Sequence, residues 1–337
     1  MGARSSQSRG PGLNQTDGHL SEYFRNSFSA GGGAANQKPT GLTASGGNII
    51  NDYTDSGVKY RSHTFNSTGT FDVSSLAIGQ SNSLDILVVG GGGGGGGGYY
   101  CGAGGAGGVR TNLTGSAIQN VPTEYTASIG SFIVTVGGGG DGGPASGGGT
   151  VGSASSITIG TGIVAAGGGN GGAGGYVAVG GGGGSGGGGA YSSLSGGAGI
   201  DAGTPTFQGY PGGTGAPTGG AGGGGAGGAG VAYVSPPVAY ANNAGVGTQY
   251  NITGISSFYA AGGSGGGVNG AAGVTPRQSG IGGRGQRNHT SPGSAPTADL
   301  DALSNTGSGG GGCDKRNTGF TRAGNGSSGI VVVRYRV

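Results

Sequence analysis

The sequence predicts an all-β framework carrying a bundle of polyglycine II helices, with an irregular N-terminal arm in front. Three observations predict it. Of 337 residues, 98 are glycine, and all but 17 of those lie within residues 90–312. They fall in blocks, nine in a row at 90–98 and five at 180–184, and the blocks follow short β-rich runs such as Ile86-Leu87-Val88-Val89. Only 32% of residues are hydrophobic and there is no tryptophan, so a conventional core is small and comes from a few strands.

Glycine tracts without a strict G-X-Y period ordinarily read as flexible linkers. Fixing one backbone unit costs roughly 1–2 kcal/mol, more for glycine than for any other residue. One hydrogen bond returns only about 0.5–1.5 kcal/mol net, so an isolated glycine segment stays unfolded. A lattice reverses the balance. A threefold extended helix makes no internal hydrogen bonds, and its N–H and C=O groups point outward. Without Cβ atoms such helices pack closely on all sides and pair with several neighbours, with Cα–H···O contacts adding about 0.5–1 kcal/mol each. Ala103 and Ala106 stand three apart, as do Ala226 and Ala229, matching outward-facing positions on such a helix. Collagen is excluded, because the triplet never persists.

In chain order, residues 1–57 read as a polar attachment arm. Leu20, Phe24 and Phe28 recur at four-residue steps around Tyr23, and Asp17 is placed to cap a short helix. Such a helix is too short to be stable alone and suits docking on a partner. From Val58 the pattern turns to β. Residues 60–65 and 70–73 flank Asn66-Ser67-Thr68-Gly69 and read as a hairpin. Further strands fall at 84–89, 125–129, 132–136, 156–159 with 163–165, and 330–336, the last containing the apolar run Val331-Val332-Val333 of a strand covered on both faces. The glycine-rich domain is therefore 58–337, with its framework at 58–89, 121–136, 151–166 and 329–337 and the bundle within 90–312. Segments run out and back from the strands. Residues 90–98 leave, turn at 99–101 and return through 102–108; 166–175 leave, turn at 176–179 and return through 180–189; 268–306 form a long distal excursion.

Charge excludes several functions. Between Thr111 and Pro276 the only charged residues are Glu124, Asp141 and Asp201, and a neutral body does not track phosphates, so no nucleic-acid partner is expected. No apolar run reaches transmembrane length, and no hydrophobic region follows Met1 to act as a signal peptide. The start Met1-Gly2-Ala3-Arg4-Ser5-Ser6 fits a myristoylation pattern, but no basic membrane-binding helix follows and it reads as a polar arm. Cys101 and Cys313 each stand beside a glycine block; they meet if both blocks turn at the same end, and otherwise are free thiols.

No enzyme and no cofactor or metal is expected. His19, His63 and His289 are scattered without ligand spacing, and Lys38, Lys59 and Lys315 fit no phosphate loop. Six N-x-[ST] sequons read as chance in a chain rich in Asn, Ser and Thr. What remains is a binding surface. Tyr99, Tyr100, Tyr176, Phe207 and Tyr210 sit at expected turns, and Tyr233 and Tyr240 flank Ser235-Pro236-Pro237. Tyrosine supplies large amphipathic contact area with few rotatable bonds. Arg277, Arg284, Arg287 and His289 add a basic cluster suited to anionic sugars. The competing reading is that these aromatics cap the bundle ends.

The lead-in Asp85-Ile86-Leu87-Val88-Val89 before its glycine block, the passages Thr135-Val136-Gly137 and Val164-Ala165-Ala166-Gly167, and the ending Ser328-Gly329-Ile330-Val331-Val332-Val333-Arg334-Tyr335 resemble the glycine-rich virion proteins of tailed bacteriophages. More distantly they resemble the tail-fibre tip adhesin of T-even-type phages. The resemblance covers about residues 58–337 and implies a sandwich of polyglycine II helices whose loops bind host-surface receptors. It implies a virion protein assembled in the host cytoplasm, on tail or capsid. Its partners would be other virion proteins, held through Leu20, Tyr23, Phe24 and Phe28 of the arm, a host-surface glycan or outer-membrane protein, and further copies of itself, with no membrane insertion. Two other readings stand beside it. One is a structural decoration protein that binds no receptor. The other is a cellular ice-binding or matrix protein, for which the interruptions are too irregular.

Overall fold

The computed structural model of the chain describes residues 40–113, 124–145, 147–175, 178–192, 194–200, 207–233, 244–268, 273–274, 277–288, 299–314 and 322–337. The chain divides into two units. In the smaller, Ala77–Ser81 meets residue 40 through an antiparallel bridge, with Thr40 N–H donating to Ile78 at 3.2 Å and Ile78 N–H to Thr40 at 3.0 Å. The larger comprises Leu42–Leu76 and Asn82–Val337. Its described residues are all-β, and the only helical element among them is a single 3₁₀ turn at Gln278–Gly280.

Two antiparallel sheets form the framework. The first is ordered β2 (Ile49–Asp55), β3 (Val58–Phe65), β16 (Ile330–Arg336), β5 (Ser83–Val89) and β6 (Val109–Thr111), with β7 (Tyr125–Thr126) also on β5. β16 lies in the middle, and Val331, Val332 and Val333 are fully buried, as a continuous apolar run requires. The second is ordered β1 (Thr43–Ser45), β4 (Gly69–Ser75), β8 (Gly130–Thr135), β9 (Ser155–Ile157) and β10 (Ile163–Ala165). β5 and β16 pack on β9, and β5 on β10. Successive side chains of a strand face opposite ways. Leu87, Val89 and Val332 join a cluster with Tyr250, Ile252 and Tyr259 around the hairpin of β11 (Thr248–Tyr250) and β12 (Ser257–Tyr259).

Two strands, β1 and β2, lie ahead of Val58. β2 joins β3 through Ser56 (φ 51°) and Gly57 (φ 81°), the pair of left-handed residues that a tight two-residue hairpin requires. The hairpin expected across residues 66–69 does not form. β3 and β4 belong to different sheets, because β16 takes the place beside β3. Asn48 Oδ1 accepts from the N–H groups of Asn66 and Ser67 at 2.7 and 3.2 Å and fixes the chain where it changes sheet.

The glycine segments hydrogen-bond to one another in rotation. Gly90, Gly93 and Gly96 donate to Gly108, Gly105 and Gly102; Gly91, Gly94 and Gly97 donate to Ser153, Thr150 and Gly147; Gly92 and Gly95 donate to Ser327 and Gly324, all at 2.8–3.0 Å. The carbonyls follow the same rhythm. Gly91, Gly94 and Gly97 accept from Gly168, Gly171 and Gly174, Gly92 and Gly95 from Gly140 and Gly143, and Gly93 and Gly96 from Gly310 and Cys313. One segment is thus bonded to six others. Residues 101–108 repeat the pattern, donating to 307–313, 166–172 and 221–224.

Two expectations are corrected here. Ala103, Ala106 and Ala226 are fully buried rather than outward-facing, and Ala106 and Ala226 belong to the hydrophobic cluster beneath β5; of the four only Ala229 is exposed. Residues 180–189 do not form one returning arm. Gly181 and Gly184 donate to Asn170 and Gly167, whereas Ser185 and Gly188 donate to Ala106 and Ala103. The chain therefore reverses between Gly184 and Ser185, and residues 194–200 return along 180–184.

Candidate functional site

The turn at the far end of residues 90–97 from β5 runs through Gly98, Tyr99 and Tyr100. Tyr100 holds φ at 51°, a conformation costly for a bulky residue and one that persists only where its surroundings impose it. Here Tyr191 N–H donates to the Tyr100 carbonyl at 3.1 Å, and the two rings lie 6.3 Å apart at 46°. Tyr99 is 43% exposed, and its ring lies beside Gly175 in the neighbouring turn. Tyr191 escaped the sequence reading. Its signal is position, directly after a glycine block and Ala190, as Tyr99 follows Gly98.

The other expected residues are distributed differently. Phe207 packs against the cluster of Leu87, Val89 and Val109 and meets Tyr210 edge to face at 5.0 Å. These two rings therefore serve the framework end, not the tyrosine turn. Tyr233 is buried, and its ring fills the space that side chains on Gly219 and Gly267 would need. Arg277 donates to the carbonyls of Gly282 and Asp301, and burial holds its pKa below the usual guanidinium value. Arg284 lies 3.8 Å from Asp299. Both arginines have partners within the chain. Arg287 lies on β15 (Gln286–Asn288), parallel to β13 (Gly267–Val268) and antiparallel to β14 (Gly273–Val274). Tyr176, Tyr240 and His289, with Leu20, Tyr23, Phe24 and Phe28 of the arm, lie outside the described residues.

The excursion at 268–306 is not wholly distal. Ile281, Asn305 and Thr306 line a cleft of about 670 Å³ with Ile49, Ile50, Ile255 and Phe258. Among the described residues no charged side chain lines it. Elsewhere in the framework two polar side chains, Arg334 and His63, are matched internally. Arg334 lies over the Tyr60 ring at 4.5 Å and bonds Asp85 through Nη2 at 2.6 Å. His63 is fully buried between Gly46 O, 2.7 Å from Nδ1, and Tyr335 Oη, 3.1 Å from Nε2. Among the described residues no three His, Cys, Asp or Glu side chains gather as a metal site, and no helix is long and apolar enough to cross a membrane.

An all-β framework clamping mutually hydrogen-bonded glycine segments defines a glycine-rich domain protein. The glycine-rich domain family matches residues 64–336, and the chain belongs to that family. Comparison with curated proteins yields no match.

Proposed function

We propose that this chain is a non-enzymatic virion protein of a tailed bacteriophage, a fibre or adhesin of tail or capsid. Its glycine segments form a polyglycine II bundle, and the turns at the bundle's tip bind host-surface receptors. The threefold rotation of donors and acceptors along residues 90–97 supports the bundle, since an extended threefold helix directs its backbone groups in that order. The observation that carries the binding role is the turn of Tyr99 and Tyr100 against Tyr191. Amphipathic rings are held there on a rigid scaffold, as recognition loops are. The N-terminal arm attaches the domain to other proteins of the particle. Decoration without receptor binding is the second reading, favoured by the internal engagement of Tyr233, Arg277 and Arg284.

Adsorption separates the two. Purified protein should bind host cells, and the triple change Tyr99→Ser, Tyr100→Ser, Tyr191→Ser should abolish that binding while the unfolding midpoint stays within a few degrees. Adsorption unaffected by the triple change overturns the tyrosine site. Particles that lack the chain and still adsorb and infect normally leave decoration standing.

A further inference from the structure

Cys101 and Cys313 are the chain's two cysteines. They lie 212 positions apart in sequence, yet their Sγ atoms are 3.7 Å apart, and both are fully buried in a cluster closed by Ala323. Backbone pairing produces this. Cys101 N–H donates to the Cys313 carbonyl at 3.1 Å, so the two residues face each other across adjoining segments. Cys313 Sγ also rests 3.4 Å from the Gly96 carbonyl oxygen and 3.6 Å from that of Gly98. The other residues of 101–108 and 307–313 are glycine, alanine or serine. Thiols are thus the largest side chains in both rows, and they occupy one shared space. A disulfide needs the sulfurs at about 2.05 Å, a closure of less than 2 Å between side chains already in contact.

We propose that Cys101 and Cys313 form an intrachain disulfide that staples the first glycine turn to the row at 307–313. One thiolate attacks a small-molecule disulfide such as oxidised glutathione and expels one thiolate from it. The second cysteine then attacks the mixed disulfide, forms the Sγ–Sγ bond and expels the other. Two cysteine S–H bonds are lost, the cysteines give up two electrons, and the small disulfide is reduced to two thiols. Burial pushes the Cys101 thiol well above its ordinary pKa, and only the thiolate attacks. The bond therefore forms while the rows are assembling or locally open, not in the closed fold.

The test is refolding of the full chain from reductant and denaturant in a mixture of reduced and oxidised glutathione. It is followed by alkylation in denaturant and intact-mass measurement. The expected product is a monomer two hydrogens lighter than the reduced chain, carrying no alkyl group. Its unfolding midpoint should exceed that of the reduced chain by about 5–10 °C, a gain that dithiothreitol removes. Should refolding fail, natively purified reduced protein held with oxidised glutathione in denaturant below its unfolding transition gives the same readout. Two alkylated cysteines, mixed disulfides with glutathione, disulfides only between chains, or a cross-linked form no more stable than the reduced one would each overturn the staple.

Discussion

A side chain on Gly94 would land on the carbonyl oxygen of Asp141, because the two backbones touch with no space for a Cβ. The contact follows from how Gly94 is held. Its N–H donates to Thr150 and its carbonyl accepts from Gly171, each at 2.9 Å, while Asp141 follows Gly140 in a row bonded to the same segment.

Gly94→Ala should therefore cost more than about 4 kcal/mol, in the range reserved for severe core damage, and lower the yield of folded protein. Gly138 is the internal control. A Cβ there meets nothing within 4 Å and its φ is not left-handed, so Gly138→Ala should stabilise by about 0.4–1 kcal/mol through the unfolded chain. Denaturant titration of both variants checks this, and equal effects would refute close packing as the cause.

Arg334 tests the framework. Its side chain is 10% exposed, bonded to Asp85 and stacked over Tyr60, a planar arrangement that lysine does not reproduce. Arg334→Lys should cost about 1–2 kcal/mol in thermal or chemical unfolding. Asp85→Asn should cost a similar amount, because it removes the nearer counter-charge of a nearly buried cation and leaves it only Asp55, 4.0 Å away.

His63 gives the fold a pH dependence. Burial is the main cause holding its pKa below the ordinary value of 6.5. Gly46 O accepts from Nδ1–H, which leaves Nε2 to accept from the Tyr335 hydroxyl. Between the folded and unfolded pKa values the unfolded chain binds more protons, so stability rises with pH there. The contribution is complete above the unfolded value and is lost as pH falls below it. Unfolding measured from pH 8 downward should show this decline, and His63→Gln should remove the part that begins near pH 6.5.

Tyr233 and Tyr99 should respond oppositely. Tyr233→Ala opens a void against Gly219 and Gly267 and should cost about 3 kcal/mol. Tyr99→Ser, at an exposed turn, should change stability by about 0.5 kcal/mol or less. A large loss at Tyr99 would make it a cap of the glycine segments.

Some features were legible from residues alone. The run Val331-Val332-Val333 announced a strand covered on both faces, and β16 is the centre of its sheet. Tyr99-Tyr100 after nine glycines announced a turn. Other features were not. β2 falls in the polar stretch before Val58, where Asn51, Asp52, Thr54 and Asp55 hide a strand, and pairing with β3 outweighs that composition. Residues 60–65 and 70–73 carry every local sign of a hairpin, yet the partners that β3 takes are β2 and β16, the latter more than 250 positions away. Tyr233, expected at a recognition loop, is buried because two glycines leave a slot that its ring fills.

The sequence by itself determined that the described residues are built from short strands and glycine-rich segments, since their composition supports neither long helices nor a large core. It also marked the first turn, because Tyr99 and Tyr100 interrupt the glycines there. Only the tertiary structure decided which segments adjoin, where residues 180–189 reverse, and that Cys101 meets Cys313. The physical reason is that glycine carries no side chain to specify a partner. Neighbours are selected by backbone hydrogen bonds and Cβ-free contact, and those come into being only when all the segments are assembled together.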